Sequence, residues 1–328
     1  MPFKIQRRDV TIRDLDGESD LNDLFTLQLS NERVVIHDKK GKVIQAPRTV
    51  TTRTGTTYTL PRANRVLGQG SFGAALRYEN PNDRTDQAAL KISVSRPPST
   101  DRDVYLTEVA VNELVSAVAL SECPGIAELY GTSVQRVGGE YYFYSLMKLY
   151  DGDLRNLNFV RRPRLANILR QLLETLICMG ELGYVYNDLK SDNVLYQRVH
   201  NRYEVVLGDM GCVNCIGDPS RCGVANNRGP NERSIDEEDS IGIALLTLEL
   251  WTSGDIEYRA LQNIINERHT GDKWTMRIPL DRLADNIKTT QAYRRNTADG
   301  EIVLQFVLAA LSRKTPRELL ALPMFSEG

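Results

Sequence analysis

Four polar residues in the middle of the chain have the types and the order that phosphoryl transfer requires. Asp188, Lys190 and Asn193 occur in the segment YVYNDLKSDNVLY, and Asp209 follows in VVLGDMG. A carboxylate can orient an attacking hydroxyl group and accept its proton, a lysine can neutralise charge on the transferred phosphoryl group, and oxygen ligands bind Mg²⁺. These four residues supply each of those groups, so phosphoryl transfer is the chemistry that they predict.

Three glycines upstream form the spacing GxGxFG. Gly68, Gly70 and Gly73 lack side chains, which lets backbone N–H groups approach phosphate oxygens closely. A dinucleotide-binding fold uses similar glycines, but there the turn opens a helix, whereas GAALRYE is typical of a continuing strand. Because the spacing alone has low specificity, a purely structural glycine turn remains an alternative.

A lysine follows the glycines on a predicted strand. Lys91 lies in AALKI, where a buried ammonium group would cost free energy without anionic partners. We therefore expect phosphate and a carboxylate beside it, and the following predicted helix offers Glu113 as the preferred partner and Glu108 as the reserve. The alternative is a surface lysine whose aliphatic stem packs against a helix.

Hydrophobic periodicity indicates a β-rich region followed by a helical one. Strand patterns cover TYTLPRANRVLGQGSFGAAL, QAALKISVS and EYYFYSLMKLY, and an amphipathic helix is predicted over residues 103–120. An apolar stripe then predicts a long helix, and further helical periodicities cover residues 241–251 and 302–311. The stripe consists of Leu165, Ile168, Leu169, Leu172, Leu173 and Leu176. The pattern predicts an α+β fold with a small β-rich lobe and a larger helical lobe.

The first 60 residues carry no catalytic motif. They are polar and rich in Thr and Arg, and one hairpin is predicted where RVVIH and KVIQA flank the turn signal DKKG. We expect residues 1–60 to be an N-terminal extension packed on the first lobe. The first lobe is then predicted over residues 61–148 and the second over residues 149–328.

Composition and charge exclude several classes of protein. The 328 residues are 41% hydrophobic and 26% charged, which is ordinary for a globular protein, and the formal net charge is only −2. No global field favours nucleic acid or an anionic membrane as the main partner. The N-terminus has no signal-peptide pattern, and the longest apolar run, Ile241–Leu250, is too short for a membrane span and is interrupted by Thr247 and Glu249. We expect an intracellular, cytoplasmic protein with no membrane span.

Five cysteines are an odd number, which favours reduced thiols over a disulfide framework. Cys212, Cys215 and Cys222 lie in one short segment, and we expect free thiols there. The alternatives are a redox sensor or a zinc site, which would need a fourth ligand, with His200 a distant candidate.

The ordered motifs resemble the eukaryotic-like protein kinases. GxGxFG, the strand lysine, DLKxxN and DxG follow one another, and the closing segment SRKTPRELLALPMF, which contains Arg313, is similar to the end of that family's domain. The resemblance covers about residues 60–328. It implies a two-lobed kinase-like fold that binds ATP and Mg²⁺ between the lobes, with Mn²⁺ as a second candidate ion.

The resemblance also implies a role for each matching position. Asp188 would be the catalytic base, Lys190 would contact the γ-phosphate, and Asn193 and Asp209 would hold the metal. Lys91 would hold the α- and β-phosphates and pair with Glu113. The remaining nucleotide-binding positions would be Gly68, Gly70, Ser71, Phe72 and Gly73 over the phosphates, Ala75, Ala89 and Leu195 around the adenine, Met147 beside the hinge, Lys148, Leu149 and Tyr150 along the adenine edge, and Asp153 near the ribose.

The chain departs from the family pattern after and around the catalytic aspartate. Tyr186 and Asn187 replace the family's histidine and arginine, so a phosphorylated activation segment would lack its usual charge partner. Met210 stands where an aromatic residue is usual, a soft apolar exchange that should still pack. The segment after Asp209 is short. In it Glu232 is a weak match to a family glutamate, and Glu237 stands where the next helix usually begins with aspartate.

Three functions are consistent with these residues. The first is a serine/threonine-protein kinase acting on a protein substrate, favoured by the lysine two positions after Asp188. The second is a non-catalytic nucleotide-binding pseudokinase or scaffold, and the third is a small-molecule kinase, which a short activation segment would suit. The divergent motifs favour a viral or pathogen-encoded kinase, which would place the protein in a host cell or virion. The sequence does not specify an oligomeric state.

Overall fold

A computed structural model describes most of the chain. The described residues are 26–37, 43–63, 65–69, 73–95, 101–157, 160–200, 202–216, 237–252 and 280–326, without the side chains of residues 101–108 and 237–238. They form two compact units. The first contains the described residues up to Glu122 together with Ala127–Leu149, and the second contains Cys123–Ile126 together with the described residues from Tyr150 onwards.

The first unit is built on an eight-stranded antiparallel sheet. Its strand order is β1-β4-β5-β7-β8-β10-β9, with β6 paired to β7, while β2 and β3 form a separate hairpin. The elements are β1 (Gln28–Leu29), β2 (Arg33–His37), β3 (Val43–Pro47), β4 (Thr49–Thr51), β5 (Thr57–Thr59), β6 (Val66–Gln69), β7 (Gly73–Asn80), β8 (Asp83–Ser95), helix α1 (Asp101–Ala119), β9 (Leu129–Val137) and β10 (Glu140–Lys148).

Three strands of the described N-terminal extension belong to this sheet. Strands β1, β4 and β5 continue it beyond β7, and Thr59 pairs with Glu79. The predicted hairpin over β2 and β3 is confirmed by their antiparallel pairing. Ile44 and Val50 from this part of the chain are buried in the same apolar cluster as Leu76 and Leu90. Residues 26–60 therefore contribute to the core of the first unit.

The second unit is mainly helical. Its elements are β11 (Gly152–Asp153), α2 (Arg162–Glu181), β12 (Tyr184–Val185), β13 (Val194–Val199), β14 (Arg202–Leu207), β15 (Asn214–Cys215), α3 (Glu237–Thr252), α4 (Leu280–Thr289), α5 (Gln291–Arg295), α6 (Thr297–Leu311) and α7 (Pro316–Leu320). The predicted stripe of α2 is confirmed, since all six of its residues are buried. The pairs β13–β14 and β12–β15 are both antiparallel.

The expectation of reduced thiols throughout is wrong. Cys123 and Cys178 form a disulfide across 55 residues of sequence, with their Cα atoms 5.9 Å apart. Cys212 is also disulfide-bonded, and among the described cysteines Cys215 forms no disulfide. An odd cysteine count does not reveal which thiols the fold brings together, and here α2 carries Cys178 to the turn that contains Cys123. Because disulfides persist in oxidising surroundings, the cysteines no longer favour a reducing compartment. Cys222 lies outside the described residues.

Within the described ranges, no helix is long and apolar enough to cross a membrane.

Candidate active site

Asp188 is the centre of a hydrogen-bonded cluster in the loop between β12 and β13. Its Oδ2 accepts hydrogen bonds from Lys190 Nζ and from Asn193 Nδ2, each at 2.7 Å, and Asn193 Nδ2 also lies 2.9 Å from the Asp188 carbonyl oxygen. The Asp188 side chain is 13% exposed. The structure thus brings three of the four predicted residues together around one carboxylate.

The surroundings of Asp188 alter its proton affinity. Burial raises the pKa of Asp188 and the negative charge of Asp209 raises it further, while the charge and hydrogen bond of Lys190 and the hydrogen bond of Asn193 act in the opposite direction. The pKa remains raised on balance, which makes the carboxylate a stronger proton acceptor. The influence of Asp209 also indicates that the two carboxylates are close enough to interact.

The β13–β14 hairpin brings Asn193 and Asp209 to the same end. Gly208, which precedes Asp209, donates its backbone N–H to the Asn193 carbonyl oxygen at 2.8 Å. Asp209 has the left-handed backbone angles φ 48° and ψ 80°, and its Oδ1 accepts a hydrogen bond from Gly211 N at 3.3 Å. Aspartate is one of the few residues that tolerate this conformation, because its short side chain can bond locally. The two predicted metal ligands are therefore neighbours.

Helix α3 holds the start of the loop through Asp239, which sequence reasoning missed. Its two carboxylate oxygens accept hydrogen bonds from the backbone N–H groups of Tyr186 and Asn187, both at 2.8 Å, and the residue is buried. The resemblance pointed instead to Glu237, where α3 does begin. The helix starts with the run EED, and only the fold shows that its third carboxylate faces the loop.

Tyr186 and Asn187, the departures from the family pattern, both make hydrogen bonds. The buried Tyr186 donates its hydroxyl proton to the Gly208 carbonyl oxygen. Asn187 Nδ2 donates to the Cys212 carbonyl oxygen at 3.2 Å, and the residue has a φ of 66°, a region that asparagine occupies more readily than most residues. The two side chains therefore tie the loop to the chain on both sides of Asp209.

Lys91 in the first unit pairs with a carboxylate from α1. Lys91 Nζ lies 2.6 Å from Glu113 Oε1, and the two side chains are 23% and 9% exposed. The alternative partner Glu108 has no described side chain. The contact gives Lys91 the anionic partner that a half-buried ammonium group requires.

Strand register places four predicted residues of the first unit on one face of the sheet. Ala75 pairs with Lys91, and Met147 pairs with Ala89. Side chains alternate between the two faces of a strand, so these four lie opposite the face that forms the core. The core-facing neighbours are Ala74, Leu76, Leu90 and Ile92.

The predicted phosphate loop is described only at its ends. A Cβ on Gly73 would lie 1.7 Å from the Ile92 carbonyl oxygen, so strand packing alone requires glycine there, whereas a Cβ on Gly68 would meet nothing within 4 Å. A purely structural reason for glycine therefore exists at Gly73, whereas the packing at Gly68 does not require glycine. Gly70, Ser71 and Phe72 lie outside the described residues.

The predicted adenine-edge segment is partly committed to other contacts. The Lys148 backbone N–H donates to the Glu128 carbonyl oxygen at 3.0 Å, so an adenine contact would fall to other backbone groups of the segment. Leu149 and Tyr150 are half-buried.

In the second unit, Asp153 and Leu195 are paired in the β11–β13 ladder. Asp153 accepts hydrogen bonds from Arg155 through the backbone N–H at 3.0 Å and through the guanidinium group at 2.7 and 3.0 Å. A ribose hydroxyl would have to share this carboxylate with the arginine.

Metal binding by cysteine finds little support. Cys212 is disulfide-bonded and so is unavailable as a zinc ligand, and His200 is exposed. Within the part of the chain that the structure describes, no group of three or more His, Cys, Asp and Glu side chains could hold a metal ion. Glu232 lies outside that part.

Known proteins match the region that carries the site. The family model described as "Protein kinase domain" matches residues 62–231. The meiosis-specific serine/threonine-protein kinase MEK1 of Saccharomyces cerevisiae is 25% identical over 162 residues, which are 45% of this chain and 30% of that protein. A Fowlpox virus protein named as a probable serine/threonine-protein kinase is 26% identical over 165 residues, which are 47% of this chain and 53% of that protein. The chain spans less than two thirds of the length of either relative.

Proposed function

The chain belongs to the protein kinase domain family, and on this premise we propose that it is an ATP-dependent serine/threonine-protein kinase. It would transfer the γ-phosphate of Mg-ATP to a hydroxyl group of a protein substrate. The preference for serine and threonine is supported by Lys190, two residues after Asp188, and by the names of the two relatives.

The observation that carries the proposal is the cluster around Asp188. The attacking oxygen forms a bond to the γ-phosphorus, the bond from that phosphorus to the bridging oxygen of ADP breaks, and the hydroxyl proton goes to Asp188. Burial raises the pKa of Asp188, which favours this acceptance. Lys190 Nζ lies 2.7 Å from the same carboxylate. Its positive charge would stabilise the negative charge that develops on the transferred phosphoryl group.

The donor set fits Mg²⁺. Asn193 uses its Nδ2 on Asp188, so its amide oxygen is the atom left to offer a cation, and Asp209 supplies a carboxylate at the same end of the hairpin. Such oxygen ligands, completed by water and substrate phosphates, are those that Mg²⁺ prefers. A bound Mg²⁺ would neutralise phosphate charge.

The first unit would bind the nucleotide phosphates through Lys91. Its ion pair with Glu113 at 2.6 Å holds the ammonium group in one position. A charged group that is already positioned stabilises developing charge without paying for reorganisation during the reaction.

The test is transfer of labelled γ-phosphate to a generic protein substrate in the presence of Mg²⁺. The protein should label serine or threonine, and Asp188→Asn should lower the rate by about 10²-fold or more, since general-base catalysis contributes on that order. Asp281→Asn, the same change at an exposed position of α4, is the matched control and should keep full activity.

Other results would select another function. Magnesium-dependent nucleotide binding without transfer would support a pseudokinase, and ATP turnover only with a small metabolite would support a small-molecule kinase. Label on tyrosine alone would contradict the serine/threonine assignment.

A further inference from the structure

Helix α3 contacts the catalytic loop a second time, at the far end from Asp239. Ser191 Oγ donates a hydrogen bond to Glu249 Oε1 at 2.7 Å. Ser191 is only 2% exposed and Glu249 is half-buried, so the contact is partly shielded from water. A hydrogen bond between a hydroxyl group and a carboxylate is among the stronger ones in proteins, and more so away from solvent.

Ser191 begins the short turn that presents the catalytic side chains. The 3₁₀ turn Ser191–Asn193 is closed by the Asn193 backbone N–H, which donates to the Lys190 carbonyl oxygen at 3.0 Å. Lys190 and Asn193, on either side of the first two turn residues, both contact Asp188. Movement of Ser191 would therefore shift two of the groups that surround the base.

A glutamate at position 249 is expected to lower the stability of the fold, which suggests that it is there for a functional reason. Its neighbours along α3, Leu248 and Leu250, are buried, and its own Oε2 is buried with no hydrogen-bond partner among the described residues. Burial raises the pKa of Glu249; the hydrogen bond from Ser191 and the charge of Arg155 lower it, while Asp192 and Asp153 raise it. A half-buried carboxylate with one buried, unsatisfied oxygen costs free energy that a leucine side chain would not.

Helix α3 also packs closely against the loop at a point between the Asp239 and Glu249 contacts. A Cβ on Gly242 would lie 2.7 Å from Leu189 Cβ, which is closer than packed side chains allow. Helix and loop therefore approach closely at Gly242, and polar contacts flank this point on both sides. The Ser191 contact is thus part of a continuous surface and not a chance encounter of two exposed side chains.

We propose that Glu249 is a positioning residue for phosphoryl transfer, which fixes Ser191 and through it the turn that presents Lys190 and Asn193 to Asp188. This role rests on the proposed function, because it concerns the same loop. It assigns to a half-buried acid of α3 a part in the rate of the chemical step.

Four variants test the role through kcat and KM. Ser191→Ala and Glu249→Leu each remove the hydrogen bond and should lower kcat roughly fivefold to twentyfold with KM for ATP within about twofold, as expected for a loss felt in the transition state. Glu249→Gln keeps an acceptor oxygen and should stay within about twofold of the parent protein. The double variant Ser191→Ala/Glu249→Leu should be no slower than the slower single variant, because both remove one contact.

Thr247→Val is the matched control. Thr247 is buried on the same helix, but its hydroxyl donates to the Ile243 carbonyl oxygen of that helix at 2.6 Å. The control should leave kcat unchanged. The role is refuted if Ser191→Ala keeps kcat within about twofold of the parent protein, if Glu249→Gln is as slow as Glu249→Leu, or if the single effects multiply in the double variant. If Glu249→Leu does not fold, the kcat values of Ser191→Ala and Glu249→Gln are sufficient to test the positioning role.

Hydrogen exchange gives a readout that does not need activity. Backbone amides 191–193 should exchange faster in Ser191→Ala than in the parent protein and in Thr247→Val. A parent protein that transfers no phosphate would refute the proposed function while this measurement still tests the loop contact. Unchanged exchange in Ser191→Ala would refute the positioning role itself.

Discussion

The strand that carries Lys91 and the loop that carries Asp188 are held in place in different ways. Strand β8 is fixed by backbone pairing on both sides, with β7 and β10, and Lys91 adds one ion pair to Glu113. The Asp188 loop has little regular structure and takes its shape from side chains of α3 that lie 52 to 58 residues further along the chain.

Because of this difference, we expect mutations on the strand and in the loop to affect activity and stability differently. On the strand, loss of a functional side chain leaves the backbone ladder intact, so activity should fall while the fold persists. In the loop, Asp239 fixes the segment that leads to the proposed catalytic groups and also satisfies two backbone N–H groups, so loss of its carboxylate should lower activity and stability together. The following experiments would break or sharpen that contrast.

The largest expected effect is on activity, at the strand. Lys91→Met should lower kcat/KM by about 10²- to 10³-fold, the loss typical of removing one preorganised donor to developing charge. The free energy of unfolding should fall by about 1 to 2 kcal/mol, because Lys91 is partly exposed but the buried Glu113 loses its ion-pair partner. Steady-state kinetics and urea unfolding measure the two quantities, with Lys288→Met as the control on α4. A loss of stability comparable to the loss of activity would contradict the contrast.

In the loop, Asp239→Ala should lower both properties. Two backbone N–H groups, those of Tyr186 and Asn187, would lose a charged acceptor, which should cost about 3 kcal/mol of unfolding free energy. Asp239→Asn keeps one acceptor oxygen and should cost less than Asp239→Ala. Denaturant unfolding of the two variants decides, and a stable but inactive Asp239→Ala would show that the loop does not depend on this carboxylate for its fold.

A smaller effect should follow from removing the disulfide. The turn that contains Cys123 is anchored on α2 through Cys178, and in the same turn the Gly125 carbonyl oxygen accepts a hydrogen bond from Leu207 N at 2.7 Å, two residues before Asp209. Replacing both cysteines by serine should lower the unfolding free energy by about 2 kcal/mol. The double variant is preferable to a chemical reductant, which would also act on the disulfide of Cys212. An equal free energy of unfolding for the parent protein and the double variant would show that the disulfide does not stabilise the fold.

The smallest effect concerns phosphorylation after Asp209. Asn187 already links the segment to the loop through the Cys212 carbonyl oxygen. Because position 187 holds asparagine, the loop lacks the arginine that would bind a phosphate at that point. Phosphatase treatment should therefore change the rate by less than about twofold, since charge-assisted ordering needs such a partner. Asn187→Gly, which tolerates the same φ, should slow the reaction more than phosphatase treatment does. A large loss on dephosphorylation would contradict this independence.

Local sequence was sufficient for the parts of the molecule that depend on nearby residues. The apolar stripe of α2, the hairpin of β2 and β3, and the grouping of Asp188, Lys190 and Asn193 all follow from spacings within one helix, one hairpin or one loop. In such cases periodicity and turn chemistry determine which side chains meet.

The contacts that sequence reasoning missed are long-range. Asp239 occurs in the run EED, which reads as a solvated helix start, and Glu249 occurs in LLTLELW, where it reads as an interruption of an apolar run. Cys123 and Cys178 stand apart in sequence without a recognisable spacing. Only the packing of α2 and α3 makes these pairs neighbours, so one sequence without the fold could not predict them.

The disulfide has a mechanical consequence for the whole chain. The residues between Cys123 and Cys178 include Ala127–Leu149, so β9 and β10 of the first unit lie inside a covalent ring whose closing bond belongs to the second unit. A force applied to the two termini would run through the sulfur atoms and bypass those strands. Because the bond bridges a sequence separation of 55, the stretched chain would be shorter by about 180 Å, at roughly 3.3 Å per residue, until a reductant opened the ring.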